Sequence, residues 1–153
     1  MVAISVRASG REPPGRVLAN GAVIAGCIAI VAAFVAGYLP TILWVAGEWS
    51  GSAGVLSHGY LVVVISGFLA VRAMPEFVRQ VASPAWWLLP VLVGCSVVWL
   101  LGYVAAVVAA QTLVMPAMLL IALAVSFGTA AAKVLSFAIL YLYLAVPAWE
   151  HFE

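Results

Sequence analysis

Ionisable side chains are scarce in this sequence: five acidic and six basic residues among 153, or 7% of the chain. Soluble domains carry about one-quarter charged residues, so a water-soluble globular fold is excluded. The net charge of +1 says nothing about nucleic acid, since in a membrane chain only the placement of the few charges matters, but no stretch interleaves basic residues with aromatics, so nucleic acid is not an expected partner. Cysteine and histidine are equally few, at two each. Cys27 and Cys95 each lie in the middle of a long apolar segment, as small hydrophobes do, which argues against a metal pair or an exposed nucleophile. The sequence has no Ser/His/Asp set, no HExxH, no phosphate-binding glycine loop and no zinc spacing. From the residues alone, therefore, no catalytic, cofactor-binding or metal-binding residue is assigned, and no cofactor is expected.

Apolar residues fill the space that charge leaves. At 67% hydrophobic and a mean hydropathy of +1.26, the chain reads as an all-α integral membrane protein. A helix needs about 20 apolar residues to cross a ~30 Å hydrocarbon core. The first span is expected at about 18–39, after a cytoplasmic tail over 1–17. Its apolar run exceeds the ~7–15 residues of a signal-peptide core, so it is read as retained. It is expected to end at Pro40, with Gly47, Glu48, Ser50, Gly51, Ser52 and Gly54 forming an external loop. A second span over about 57–71 leads to a polar connection at Arg72, Pro75, Glu76 and Arg79.

From Gln80 to Ala132 there is not one Asp, Glu, Lys or Arg. As one helix this segment would run roughly 80 Å, so it must fold back on itself. A third span is placed at about 85–104 and a fourth at about 112–128, with Gln111 and Thr112 as the polar candidates for the hairpin. The stretch "SFGTAAAKVL" makes the next turn, and a fifth span covers about 134–147. Pro90 and Pro116 are expected to kink the third and fourth spans. The membrane domain thus runs over 18–153 with about five helices.

Basic residues collect at cytoplasmic span ends. With the N-terminus cytoplasmic and the C-terminus external, Arg7, Arg11, Arg16, Arg72, Arg79 and Lys133 all fall inside, while Glu48, Glu150 and Glu153 fall outside. The same orientation puts Tyr38, Trp44, Trp49, Tyr103 and Trp149 near the outer interface and Trp86 and Trp87 near the inner one. Along the first span Gly21, Ala25, Ala29, Ala33 and Gly37 recur every four residues, a smooth stripe expected to pack against another helix.

His58 is the one candidate for chemistry, because imidazole titrates near neutral pH and acts as acid, base or donor. The alternative is structural: Ser57 caps the second span and His58 reaches interfacial water from its first turn. Gly59 would let another backbone come close. His151, beside Glu150 and Glu153, reads as part of a solvated end.

The order of features carries more. A first span, a Trp-containing external loop, "LSHGYLVVVISGFLAVR", a charge-poor hairpin and "GTAAAKVLSFAILYLYLAVPAW" together resemble the N-terminal half of the exosortase/archaeosortase family. The family's Ser-His-Gly step matches Ser57, His58 and Gly59, followed by Tyr60 and Leu61. Leu56 stands where the family usually has an aromatic. Its later glycine, basic residue and Val/Ile-Pro step match Gly128, Lys133, Val146 and Pro147, with lysine in place of the commoner arginine. The resemblance implies a multi-pass cysteine peptidase or transpeptidase of the bacterial inner membrane. Its partners would be membrane lipids and substrate proteins with a C-terminal sorting signal, which comprises a Pro-Glu-Pro motif, a membrane helix and a basic tail. Such systems accompany exopolysaccharide production.

The family's catalytic cysteine, arginine and histidine belong to its C-terminal half. None is carried onto Cys27, Cys95 or His58, so the chain is expected to be an N-terminal fragment, inactive alone. Ser57, His58 and Gly59 remain family-motif residues of unassigned role. The alternative is a non-enzymatic five-span scaffold or a subunit of an export complex.

Overall fold

The computed structural model describes residues 14–51, 58–81 and 83–146. Every element among them is helical. Helix α1 spans Pro14–Gly37, α2 Leu39–Gly51 and α3 His58–Arg79. A 3₁₀ turn at Trp86–Leu88 leads into α4, Leu89–Val104; α5 spans Val108–Phe127; and α6, Thr129–Tyr141, runs on into a 3₁₀ turn at Leu142–Ala145. Among the described residues four segments are long and apolar enough to cross a membrane: Asn20–Gly37, His58–Arg79, Trp86–Val104 and Val108–Phe127. The expected fifth span corresponds to the apolar but shorter helical segment Thr129–Ala145.

Several helix boundaries differ from the sequence reading. Pro40 does not end helical structure. It sits in the first turn of α2, where its missing N–H forfeits little. Helical bonding also crosses the joint, from Tyr38 N to Phe34 O (3.0 Å) and from Ile42 N to Tyr38 O (3.1 Å). The expected loop residues Gly47, Glu48, Ser50 and Gly51 are therefore part of α2, while Ser52 and Gly54 lie outside the described residues. Arg72 to Arg79 is likewise helix rather than connection, with Pro75 inside it. Phe77 anchors these added turns: it is fully buried, edge-on to Phe127 with ring centres 5.3 Å apart.

The hairpin between α4 and α5 lies at Ala105–Val107, not at Gln111 and Thr112, which are buried in the first turns of α5. Val107 N bonds to Gly102 O (2.8 Å) and Ala106 N to Tyr103 O (3.2 Å), the bond pair of a Schellman cap. Ala106 occupies its left-handed position, with φ 56°. Glycine is the usual residue there because it has no Cβ to clash. Ala106→Gly should therefore raise unfolding stability by about 0.5–1 kcal/mol, measured by denaturation in detergent. Helix α6 starts at Thr129 because Gly128 alone makes the turn, at φ 91° and ψ 157°. Pro90 stands at the start of α4, not in its interior, whereas Pro116 is inside α5 and buried.

Helix α5 is the centre of the bundle, with α4 on one side and α6 on another; α6 in turn packs on α3, and α1 lies across α5 and α3. The core gathers Cys27, Phe77, Leu123, Ala131, Leu135 and Ile139. Ser66 Oγ donates to Ala138 O (2.7 Å), fixing the register of α3 on α6. The inward face of α1 carries Val23, Cys27 and Ile30. Its small-residue stripe, Gly21, Ala25, Ala29, Ala33 and Gly37, faces away and is exposed, and around Gly21 and Gly37 the space is open. Inside this chain α1 therefore meets its neighbours by another face, and the stripe is left open.

These pairings sort the charges. One end of the bundle, made by the C-terminus of α3 and the N-terminus of α6, carries Arg72, Glu76, Arg79 and Lys133. Glu48 and His58 lie toward the other, where α2 ends and α3 begins.

Candidate functional site

At that second end three separated segments converge on one indole. Trp49, in the last turn of α2, donates from Nε1 to Ala145 O (3.1 Å) at the end of the α6 segment. Its ring lies flat on Gly59: a β-carbon there would stand 2.5 Å from the indole Cδ2 and Nε1, closer than real contacts allow. Tyr60 meets the same ring edge-on at 5.1 Å. Its hydroxyl forms a triangle with Ser50 Oγ (2.7 Å) and Ala46 O (3.0 Å), so the end of α2 is bonded to the start of α3. Glycine at 59 is thus explained by space: the close neighbour is an aromatic ring, not the backbone expected from sequence.

A buried polar link seats the beginning of α2. Thr41 Oγ1 donates to Gln111 Oε1 (2.9 Å), and Gln111 Nε2 reaches Gly102 O (3.3 Å) at the end of α4. In an apolar interior each of these groups needs a partner, so the link selects one placement of α2 over α5. Combining Thr41→Val with Gln111→Leu should cost less than the sum of the two single changes by about 1 kcal/mol, read from a double-mutant cycle of unfolding.

The predicted residues are distributed as follows. Ser57 lies outside the described residues, as do Pro147, Glu150, His151 and Glu153. His58 is the exposed first residue of α3, and Gly59 beside it is buried under Trp49. Val146 leaves the 3₁₀ turn in extended conformation (φ −78°, ψ 121°), one residue after the carbonyl that Trp49 holds. Cys27 is in the core cluster with Phe77, which lies about 28 Å along α3 from His58. Cys95 is in the middle of α4, which makes no contact with α3. The structure therefore brings neither thiol to His58. Among the described residues no cluster of His, Cys, Asp or Glu is arranged to hold a metal.

Sequence does not mark Trp49 or Thr41 as site residues, and it reads Gln111 as part of a hairpin. Trp49 reads there as one interfacial tryptophan among several; the only signal of its role was the glycine ten residues later in a Ser-His-Gly step. What the site can do chemically is positional. It clamps the Trp-containing end of α2, the His58–Gly59 start of α3 and the Ala145–Val146 exit of the α6 segment into one surface, with the imidazole at its edge.

A family model described as transmembrane exosortase matches residues 44–153, from within α2 onward, and so includes every part of this surface. No curated protein and no solved structure matches the chain. The match extends over well over half of the sequence and over the helices that make it a multi-pass membrane protein, and the chain belongs to the transmembrane exosortase family.

Proposed function

We propose that the chain serves in the processing of membrane-anchored proteins bearing a C-terminal sorting signal, with the Trp49–Gly59–Ala145 surface on the outer side of a bacterial inner membrane. One observation supports this reading above others: Trp49, Gly59 of the Ser-His-Gly step and Ala145 just before Val146, which belong to separate stretches of the family resemblance, meet at one end of the bundle. A surface assembled from marks so far apart in sequence is what a shared activity selects, whereas lipid-facing positions need only be apolar.

The chemistry that the family implies is thiolate attack on a peptide carbonyl: the C–N bond breaks, the downstream segment leaves as an amine that takes up a proton, and water or another amine then releases the acyl group and frees the thiol. Cys27, packed in the core, and Cys95, in mid-helix, are not placed for it. In this reading Trp49 and Gly59 are positioning residues, and His58 offers a donor or base at the rim. The test is a cell carrying the complete processing system and a reporter with such a signal. Trp49→Phe keeps the ring and loses the bond to Ala145 O; it should slow reporter processing about tenfold at unchanged protein abundance. Unchanged processing would leave Trp49 a packing residue and remove the support for this reading.

Orientation has its own check. Arg72, Arg79 and Lys133 gather at the end opposite the proposed site, as cytoplasmic ends do. A membrane-impermeant maleimide applied to intact cells should label Gly47→Cys, an open position on α2, and spare Ser83→Cys on the opposite end. The reverse pattern would place the site inside the cell.

A further inference from the structure

Arg72 has an unusual setting for a cation. It lies about two turns before the end of α3, and its guanidinium carbon is 5.8 Å from the centre of the Phe68 ring. Helical side chains lean toward the N-terminus, and this one leans toward the middle of the span, not toward the end marked by Arg79. There it borders a cleft of about 380 Å³ between α3 and α6, whose walls include Phe68, Leu69, Ala73, Val134 and Phe137. Lys133 is exposed four residues before Phe137, on the same face of α6.

Among the described residues neither cation has an ion pair. Glu76, the one carboxylate near them, accepts from Gln80 Nε2 (2.8 Å) and faces Arg79 at 3.6 Å. The larger cleft between α1 and α3, about 670 Å³, differs in this respect, because its cation is that same Arg79, already facing Glu76.

We propose that the α3/α6 cleft binds one acidic phospholipid, its phosphate held by Arg72, with Lys133 adding positive charge at the mouth nearest the start of α6, and one acyl chain laid between Phe68 and Phe137. The reasons are charge, medium and size. A cation turned toward hydrocarbon needs an anion, and a guanidinium matches phosphate with paired donors. The cleft faces lipid, since Phe68 and Phe137 are 59% and 68% exposed. With a volume of about 380 Å³ and walls of aliphatic and aromatic side chains, it offers a chain of methylenes an apolar seat.

The test uses the full chain in neutral detergent, titrated with phosphatidylglycerol or with phosphatidylcholine of the same acyl chains and read by native mass spectrometry. One phosphatidylglycerol per chain should be retained, about tenfold more tightly than phosphatidylcholine. Arg72→Gln with Lys133→Gln should abolish that preference while the helical circular dichroism is kept. Val134→Phe, which fills the cleft, should weaken both lipids. Equal retention of the two lipids by the wild-type chain, unchanged preference in the double variant, or displacement of the lipid by millimolar inorganic phosphate would each overturn the proposal.

Discussion

Gly59→Val should destabilise the detergent-solubilised chain by about 3 kcal/mol, measured as a lower denaturant midpoint at constant slope. A β-carbon at this position has no room, because the fused part of the Trp49 indole occupies it. The ring is rigid and cannot bend aside. It must leave, giving up the hydrogen bond to Ala145 O and the edge-on contact with Tyr60, worth about 1 kcal/mol each. Overpacking accounts for the remainder. The mechanism makes a sharper demand than the magnitude. Once Trp49→Ala has removed the ring, adding Gly59→Val should cost almost nothing more, so the two changes are strongly non-additive. If Gly59→Val cost the same with and without Trp49, the glycine would be needed for another reason. In the complete processing system the same substitution should abolish reporter processing even where the protein persists in the membrane.

Gly128→Ala should cost about 1–3 kcal/mol, for a reason that lies in the backbone and not in packing. At φ 91° and ψ 157° the residue is in a region that side chains exclude. It also does double duty, its N–H bonded to Ala124 O (2.9 Å) at the end of α5 and its carbonyl accepting from Ala132 N (3.1 Å) in the first turn of α6. With any other residue the chain must relax its dihedral angles, which moves α6 relative to α5 and disturbs the register fixed by Ser66 on Ala138 O. Gly67→Ala is the control. That glycine is helical, exposed and surrounded by open space, so alanine there should be neutral or gain up to about 1 kcal/mol from helix propensity. A Gly128→Ala variant as stable as the Gly67→Ala variant would show that the turn does not need glycine.

Both glycines belong to the family's marks, and they differ in how readable they were. Gly128 was placed in a turn from sequence, since glycine between two apolar runs is the ordinary sign of one. Gly59 was read as permitting close approach, which is correct, but the approaching group was not identifiable: no local pattern connects position 59 to position 49. The same holds for Gln111. A polar residue near the end of an apolar run reads as a loop, and here it reads wrongly, because its partner Thr41 is 70 positions away. Pro40 and the Arg72–Arg79 segment differ from the sequence reading in the same direction. Each looked like a break, and each is helix because a proline in a first turn loses little and because Phe77 has a buried seat against Phe127.

What the sequence determined by itself was therefore the solvent and the class: too few charges for water, apolar runs of spanning length, and an all-helical multi-pass chain whose short motifs carry a family resemblance. These follow from the bilayer, which forces every backbone group into local helical bonds and thereby makes hydropathy sufficient. Tertiary structure alone decided which helix faces meet, which polar residues are buried in pairs, and that Trp49, Gly59 and Ala145 form one surface. Such contacts join residues far apart in sequence, and inside a membrane every face is apolar enough to be a candidate. Only the fit of particular shapes and the pairing of particular hydrogen-bonding groups distinguishes the faces that pack from those left to lipid.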